Sequence, residues 1–291
     1  MRIAITGSSG LLGRHLIRLL EEQGATVYRM VRSPSQAPNT IYWNYLTEHI
    51  ELDKLEGLDG LIHLAGENVL QWPWTATVKK RILESRSIGT AFLAQSLTRL
   101  QQPPRVFLSA SGISYYGNSG EDWVNEESSI DSRSFLAHVV KAWEGAVQSV
   151  SLPLTRTAFL RIGIVLGTES RIIQQVKPLF KLGLGAKLWP ANPYISWISI
   201  EDTVRAIYHV LTNNQLSGPV NLVAPNPVTQ HEFSKRLAQS LERPLWLYAP
   251  SQFLKLALGE MGRETILTST RVQPAQLLKS GFEFNTPELV F

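Results

Sequence analysis

The stretch Thr6-Gly-Ser-Ser-Gly-Leu-Leu-Gly13 decides the fold. Before it lies a short apolar run over residues 2–6. After it, residues 11–23 carry Leu12, Leu16, Leu19 and Leu20, spaced for one face of a helix. A glycine-rich turn joining a strand to an amphipathic helix predicts a phosphate cradle. Gly7 permits the tight turn, Gly10 lets backbone approach a pyrophosphate, and Gly13 allows the helix to pack closely on the strand. The amides of Ser8, Ser9, Leu11 and Leu12 cluster at the helix start, where the positive end of the helix dipole favours an anion.

Working outward, the same alternation continues. Strands are expected over residues 26–31, 40–43, 60–64, 105–110 and 154–163, with helices over 75–100 and 134–150. Parallel strands joined by helical crossovers make an α/β protein with a doubly wound sheet. After Gly167 the alternation loosens. Residues 183–193, rich in glycine and proline, read as loop. Ser199-Ile-Glu-Asp202 reads as a capping box opening a helix to about Leu211, with Glu201 and Asp202 as helix-start acids. A strand over 220–223 and helical stretches after Thr229, Ser251 and Gln273 complete the chain. The expected division is a dinucleotide-binding domain of residues 1–167 plus 200–223 and a smaller substrate-side lobe of 168–199 plus 224–291.

The chain has 291 residues, 44% of them hydrophobic and 18% charged, enough to bury a large core. Its 28 Lys and Arg against 24 Asp and Glu give a net charge of +4, spread along the sequence. No Lys/Arg block is dense enough to serve as a nucleic-acid or membrane patch, so neither partner is expected. Cysteine is absent, which excludes disulfides, thiolate catalysis and cysteine zinc sites. No His, Asp and Glu spacing suggests a catalytic metal. The opening apolar stretch is too short and glycine-broken for a signal peptide, and no run approaches the roughly 20 apolar residues that span a bilayer. A soluble cytoplasmic protein is expected.

Cofactor choice is read from Arg29-Met-Val-Arg-Ser33, at the end of the second strand. NAD sites place an acid there to hold the ribose hydroxyls. Here Arg32 can pair with a 2′-phosphate and Ser33 can donate to it, which predicts NADP; the plainer reading of Arg32 is a solvated loop residue. In Gly60-Leu-Ile-His-Leu-Ala-Gly66, small residues let the chain pass beneath a cofactor, and His63 reads as a packed core or wall residue.

Taken together, TGSSGLLG (6–13), LIHLAG (61–66), SASGISYYG (109–117) and RIGIVLG (161–167) resemble the extended short-chain dehydrogenase/reductase superfamily. More narrowly, the chain resembles its atypical NADP-binding "epimerase family" subgroup. The segments LAGENV (64–69), ILESR (82–86), KAWE (141–144), LGLGAKLWPANPYISWISIEDT (182–203) and NLVAPNPVTQHEF (221–233) carry that narrower likeness along almost the whole length. The resemblance implies a Rossmann fold and NADP, with Arg32, Leu64, Ala65 and Arg86 among the cofactor contacts. Gly66, Ser109 and Ile164, in the same matching segments, join them. It implies no particular reaction.

Redox members of that superfamily use Tyr-x-x-x-Lys on a helix beside a Ser or Thr. Four residues before Lys141 stands Ala137, with His138 next, so the tyrosine is missing. In the sugar-epimerase pattern the active serine lies five positions before the glycine of a Tyr-Gly pair; counting back from Gly117 gives Gly112, with Ser111 one place off. The remaining catalytic candidates are Ser111, Tyr115, Tyr116 and Lys141, the last also a candidate ribose clamp. Against them stand plain aromatic packing for the tyrosines and a solvated helix position for the lysine; His138 is a further candidate proton carrier, provided its ring faces the cleft. Among the 8 tryptophans, Trp72 and Trp74 flank Pro73, and Trp189 and Trp197 either wall a substrate pocket or cover the core. Glu67 and Asn68 are expected polar lining. The expected function is an NADP(H)-dependent oxidoreductase or epimerase-like enzyme on a small polar carbonyl or hydroxyl compound, a nucleotide sugar being the narrower form. The alternative is a noncatalytic NADP(H)-binding regulator read by a partner. The resemblance allows a homodimer through the helices at 75–100 and 134–150, as in many relatives, but no exposed apolar stripe in the sequence marks such an interface, and the oligomeric state stays open.

Overall fold

A computed structural model describes residues 1–129 and 133–291. Its main sheet is built from β1 (Arg2–Thr6), β2 (Thr26–Val31), β3 (Thr40–Asn44), β4 (His49–Ile50), β5 (Gly60–His63), β6 (Val106–Gly112), β7 (Arg156–Ile162) and β8 (Gly218–Leu222). The spatial order is β8-β7-β6-β5-β1-β2-β3-β4. Every pairing is parallel except β3 with β4. The helices are α1 (Leu11–Glu22), α2 (Ala76–Leu97), α3 (Phe135–Gln148), α4 (Arg171–Lys181), α5 (Ile200–Thr212), α6 (Gln230–Ser240), α7 (Ser251–Thr265) and α8 (Ala275–Lys279). This is the Rossmann-type doubly wound sheet that the sequence predicts.

β1 explains the layers. Its Ile3 and Ile5 point to one face and pack with Leu16, Leu20, Ile207 and Val210 of α1 and α5. Ala4 points to the other and packs with Leu61, Leu93, Leu97, Phe107 and Val147, beneath α2 and α3. Both faces are covered, which is why the central strands read as continuous apolar runs rather than alternating ones. The strand order reverses at β1, flanked by β2 on one side and β5 on the other. In open α/β sheets the crevice at such a reversal, beyond the carboxyl ends of the strands, is where ligands bind.

A third apolar cluster gathers Leu166, Ile173, Phe180, Trp197, Phe233 and Leu237 around α4 and α6. One element here differs from the sequence expectation and another goes beyond it. The stretch read as loop contains a strand, Ala186–Trp189, because Leu247–Pro250 returns to pair with it in parallel. α4 forms although Pro178 lies inside it, a residue that argues against a helix locally. Half of the capping box forms: Asp202 N–H donates to Ser199 Oγ at 3.0 Å, while the Asp202 carboxylate accepts from Asn285 N and Thr286 N instead of turning back to Ser199.

Candidate cofactor and catalytic cleft

Beyond β1 the backbone converges more closely than side chains permit. Gly7 has φ +69, and a Cβ there would lie 2.9 Å from Ala65 N and Leu64 C. A Cβ on Gly13 would lie 2.3 Å from Gly7 O, so the helix sits directly against the turn. α1 begins after Gly10 with no side-chain cap and no acid in its first turn. Its orphan N–H groups and dipole are therefore left for an external anion.

Thr6 ties this loop to β5. Its Oγ1 accepts from Leu64 N and Ala65 N, both at 3.1 Å. Its single hydrogen then goes to His63 Nδ1 at 2.7 Å, which leaves His63 Nε2–H to donate to Thr90 Oγ1 at 3.0 Å. Burial drives the His63 pKa down to about 3, with the Arg86 charge acting in the same direction. His63 is thus a neutral post under the cleft, as its place in an apolar run suggests.

Arg32 and Ser33 are exposed past the end of β2. Among the described residues Arg32 makes no ion pair, whereas Arg29 lies 3.9 Å from Glu21. Arg86 reaches from α2 to Gly66, its guanidinium carbon 3.2 Å from where a Gly66 Cβ would sit and 4.9 Å from the Trp143 ring centroid. Burial pulls its pKa down to about 10, opposed by the Glu67 charge. One of its donors goes to Ile82 O at 3.2 Å.

At the ends of β6, β7 and β8 lies a buried polar chain that sequence reading did not find. Arg161 makes paired hydrogen bonds to Glu144, Nε to Oε1 and Nη2 to Oε2, each 2.9 Å. Ser111 Oγ donates to Glu144 Oε1 at 2.6 Å. Arg161 Nη1 donates to Tyr116 Oη at 3.0 Å, and Tyr116 Oη donates to Asn221 Oδ1 at 2.7 Å. Asn221 N–H in turn donates to Glu126 Oε1 at 3.0 Å. Burial lowers the Arg161 pKa, but the bonds to Glu144 and Tyr116 outweigh it and hold the group above its usual value. Burial pushes Tyr116 up to about 12 despite the opposing Arg161 charge. A signal was available: Arg161 interrupts the apolar run Phe159-Leu-Arg-Ile162, and a charge in a buried strand requires a partner.

The other expected residues fall as follows. Ser111 and Tyr116 are buried and already bonded within this chain. Tyr115 is partly exposed, its ring centroid 3.4 Å from the Arg161 guanidinium carbon. α3 turns Leu136 and Val140, spaced four apart, inward, and Val140 Cγ2 lies 3.8 Å from the Cβ position of Gly112. Lys141, next along the helix, is exposed, and so is His138. Glu67 Oε1 accepts from Gln71 Nε2 at 2.6 Å, and Asn68 Oδ1 accepts from Leu70 N at 3.1 Å. Ser109 is buried in register with His63, and Ile164 packs against the third cluster. Trp189 is exposed. Trp197 corrects one expectation: it is only 1% exposed and its Nε1–H donates to Asn226 O at 3.0 Å, so it fills core rather than walling a pocket. Among the described residues no His, Asp and Glu cluster could hold a metal ion, and no helix is long and apolar enough to cross a membrane.

Residues 3–223 match the family model described as NAD dependent epimerase/dehydratase family, and residues 249–290 match a domain of unknown function, DUF1731. An epimerase family protein of Mycobacterium leprae is 34% identical, over 97% of this chain and 91% of its own length. The crystal structure of human epimerase family protein SDR39U1 (isoform 2) with NADPH superposes with a TM-score of 0.89 at 29% identity, covering 99% of this chain and 96% of that one. A nucleoside-diphosphate sugar epimerase from Corynebacterium glutamicum gives 0.80 at 33% identity, covering 99% of this chain and 56% of that one. The chain belongs to the NAD dependent epimerase/dehydratase family and, within it, to the atypical extended short-chain dehydrogenases/reductases.

Proposed function

We propose that this chain is an NADP(H)-dependent oxidoreductase or epimerase-like enzyme acting on a small polar carbonyl or hydroxyl compound, with a nucleotide sugar as the narrower form. The observation that carries the reading is the uncapped start of α1 above a turn where Gly7 and Gly13 leave no room for a Cβ. The residues fit the group: an anion-seeking cradle, then Arg32 and Ser33 free past β2 for a 2′-phosphate. The NADPH in the human SDR39U1 crystal structure supports the choice. When bound, the nicotinamide ring supplies hydride exchange.

The chain's own residues do the rest. Thr6 and His63 brace the floor, and Arg86 places a positive charge at Gly66. Tyr115 is the phenol that the cluster leaves outside its own bonding, so it is assigned the proton at the substrate oxygen. Arg161 orients its ring. Ser111 and Tyr116 support the cluster from within. Residues 168–199 plus 224–291 are proposed to cover the substrate, with Glu67, Asn68 and Trp189 at its edge.

A second reading, a noncatalytic NADP(H)-binding regulator, draws on the apolar pair Leu136 and Val140 facing inward on α3. Oxidation of NADPH across a panel of carbonyl compounds, with Tyr115→Phe alongside, decides between them. Turnover lost in Tyr115→Phe with NADPH affinity kept supports the enzyme. Tight NADPH binding with no turnover on any compound supports the regulator.

A further inference from the structure

Two segments that no single stretch of sequence brings together form one face of the C-terminal lobe. Residues 171–189 and 243–258 contain six Lys or Arg and no Asp or Glu, leaving 22 basic against 24 acidic residues elsewhere. The whole positive excess of the chain, which reads as spread when the sequence is taken in order, therefore resides in these two segments. The segments are joined by the parallel pairing of Lys187 with Tyr248 and by Arg243 Nε donating to Lys181 O at 2.9 Å. Between the cations stand large apolar side chains open to solvent: Trp246 at 81%, Leu256 at 85%, Leu182 at 74% and Phe253 at 66%, with Leu184 and Tyr248 beside them.

The display is built into α7. Gly259, at φ +57, breaks the helix. Beyond the break, Glu260 pairs with Lys79 at 2.8 Å, and Glu264 accepts from Phe135 N and Leu136 N at 2.7 Å. That half is fixed to the starts of α2 and α3. The half before the break holds Phe253 and Leu256 away from the core.

We propose that this face seats the protein peripherally on an anionic lipid surface. Leucine and aromatic side chains gain from leaving water for the boundary of the acyl chains, while lysine and arginine stems keep their charges among headgroups. A cationic rim around such a centre is complementary to a negatively charged bilayer. A second copy fits less well, because a symmetric contact would set six cations against the same six. The acids nearest in sequence offer little opposition: Glu169 is paired with Arg14 at 3.4 Å and Glu260 with Lys79 at 2.8 Å, leaving Glu242 beside Arg243.

Co-sedimentation of the full chain with vesicles tests this. Vesicles of phosphatidylcholine mixed with phosphatidylglycerol should pellet the protein, with binding at least about tenfold weaker on phosphatidylcholine alone or at high salt. The variant Lys181→Glu/Lys187→Glu/Lys255→Glu and the variant Phe253→Ser/Leu256→Ser should each lose binding by about tenfold or more while keeping the parent's NADPH affinity. Failure of the parent to pellet overturns the proposal, as does equal binding to both lipids or unchanged binding by the charge-reversed variant. Concentration-dependent dimerisation abolished by Phe253→Ser/Leu256→Ser, without vesicle binding, would assign the face to a second copy and overturn it as well.

Discussion

Glu144 grips Arg161 through two hydrogen bonds of 2.9 Å, with both side chains almost wholly buried between α3 and β7. Around this pair the chemistry end of the cleft is organised: Ser111 on the carboxylate, Tyr116 on the guanidinium, Tyr115 over its face. Removing one partner strands a buried charge, so Glu144→Ala should destabilise the protein by about 3–5 kcal/mol. The double variant Glu144→Leu/Arg161→Met should cost less than that single one. Urea unfolding of the three proteins checks the order; a harmless Glu144→Ala would show that the pair carries no structural weight.

His63 should make stability depend on pH. Its folded pKa is depressed to about 3 by burial, while the unfolded chain takes up a proton near the ordinary 6.5. Between those values the unfolded state binds the extra proton, so stability present above 6.5 is lost as pH falls, at about 1.4 kcal/mol per unit. Chemical denaturation at several pH values should show this slope in the parent and its reduction in His63→Asn.

Arg32 should discriminate between cofactors. Arg32→Ala is expected to weaken NADPH binding by about 1.5–3 kcal/mol, the range for a hydrogen-bonded charge, and to leave NADH binding nearly unchanged. Tryptophan fluorescence titrations with both cofactors measure it. Equal losses would rule out a 2′-phosphate contact.

Gly13→Ala places a methyl group 2.3 Å from Gly7 O, against backbone that cannot yield without moving α1. A loss of about 1–3 kcal/mol in stability should accompany a sharp loss of NADPH affinity. Wild-type behaviour in both assays would mean that helix and turn are not held together so closely.

Lys141→Ala should bind NADPH within about twofold of the parent, a difference below 0.5 kcal/mol. Lys141 is exposed, and Val140 holds the inward position beside it. A large loss in the same titration would assign the lysine to the cofactor ribose.

The Rossmann-type sheet, the glycine cradle and the cap at Ser199 are legible in the order of the residues alone. Each of these is a local pattern, in which spacing and residue type act within one turn or one strand. The absence of the Tyr-x-x-x-Lys pair is legible there too. Other features depend on residues far apart in the chain and emerge only on folding. Glu144, Arg161 and Asn221 meet because α3, β7 and β8 lie together, a pairing no periodicity encodes. Trp197 faces core because α6 covers it, and Ala186–Trp189 is a strand because Leu247–Pro250 comes back to pair with it. The basic and apolar face follows the same rule: both halves look unremarkable in sequence, and their joint charge and exposure exist only where the fold sets them side by side.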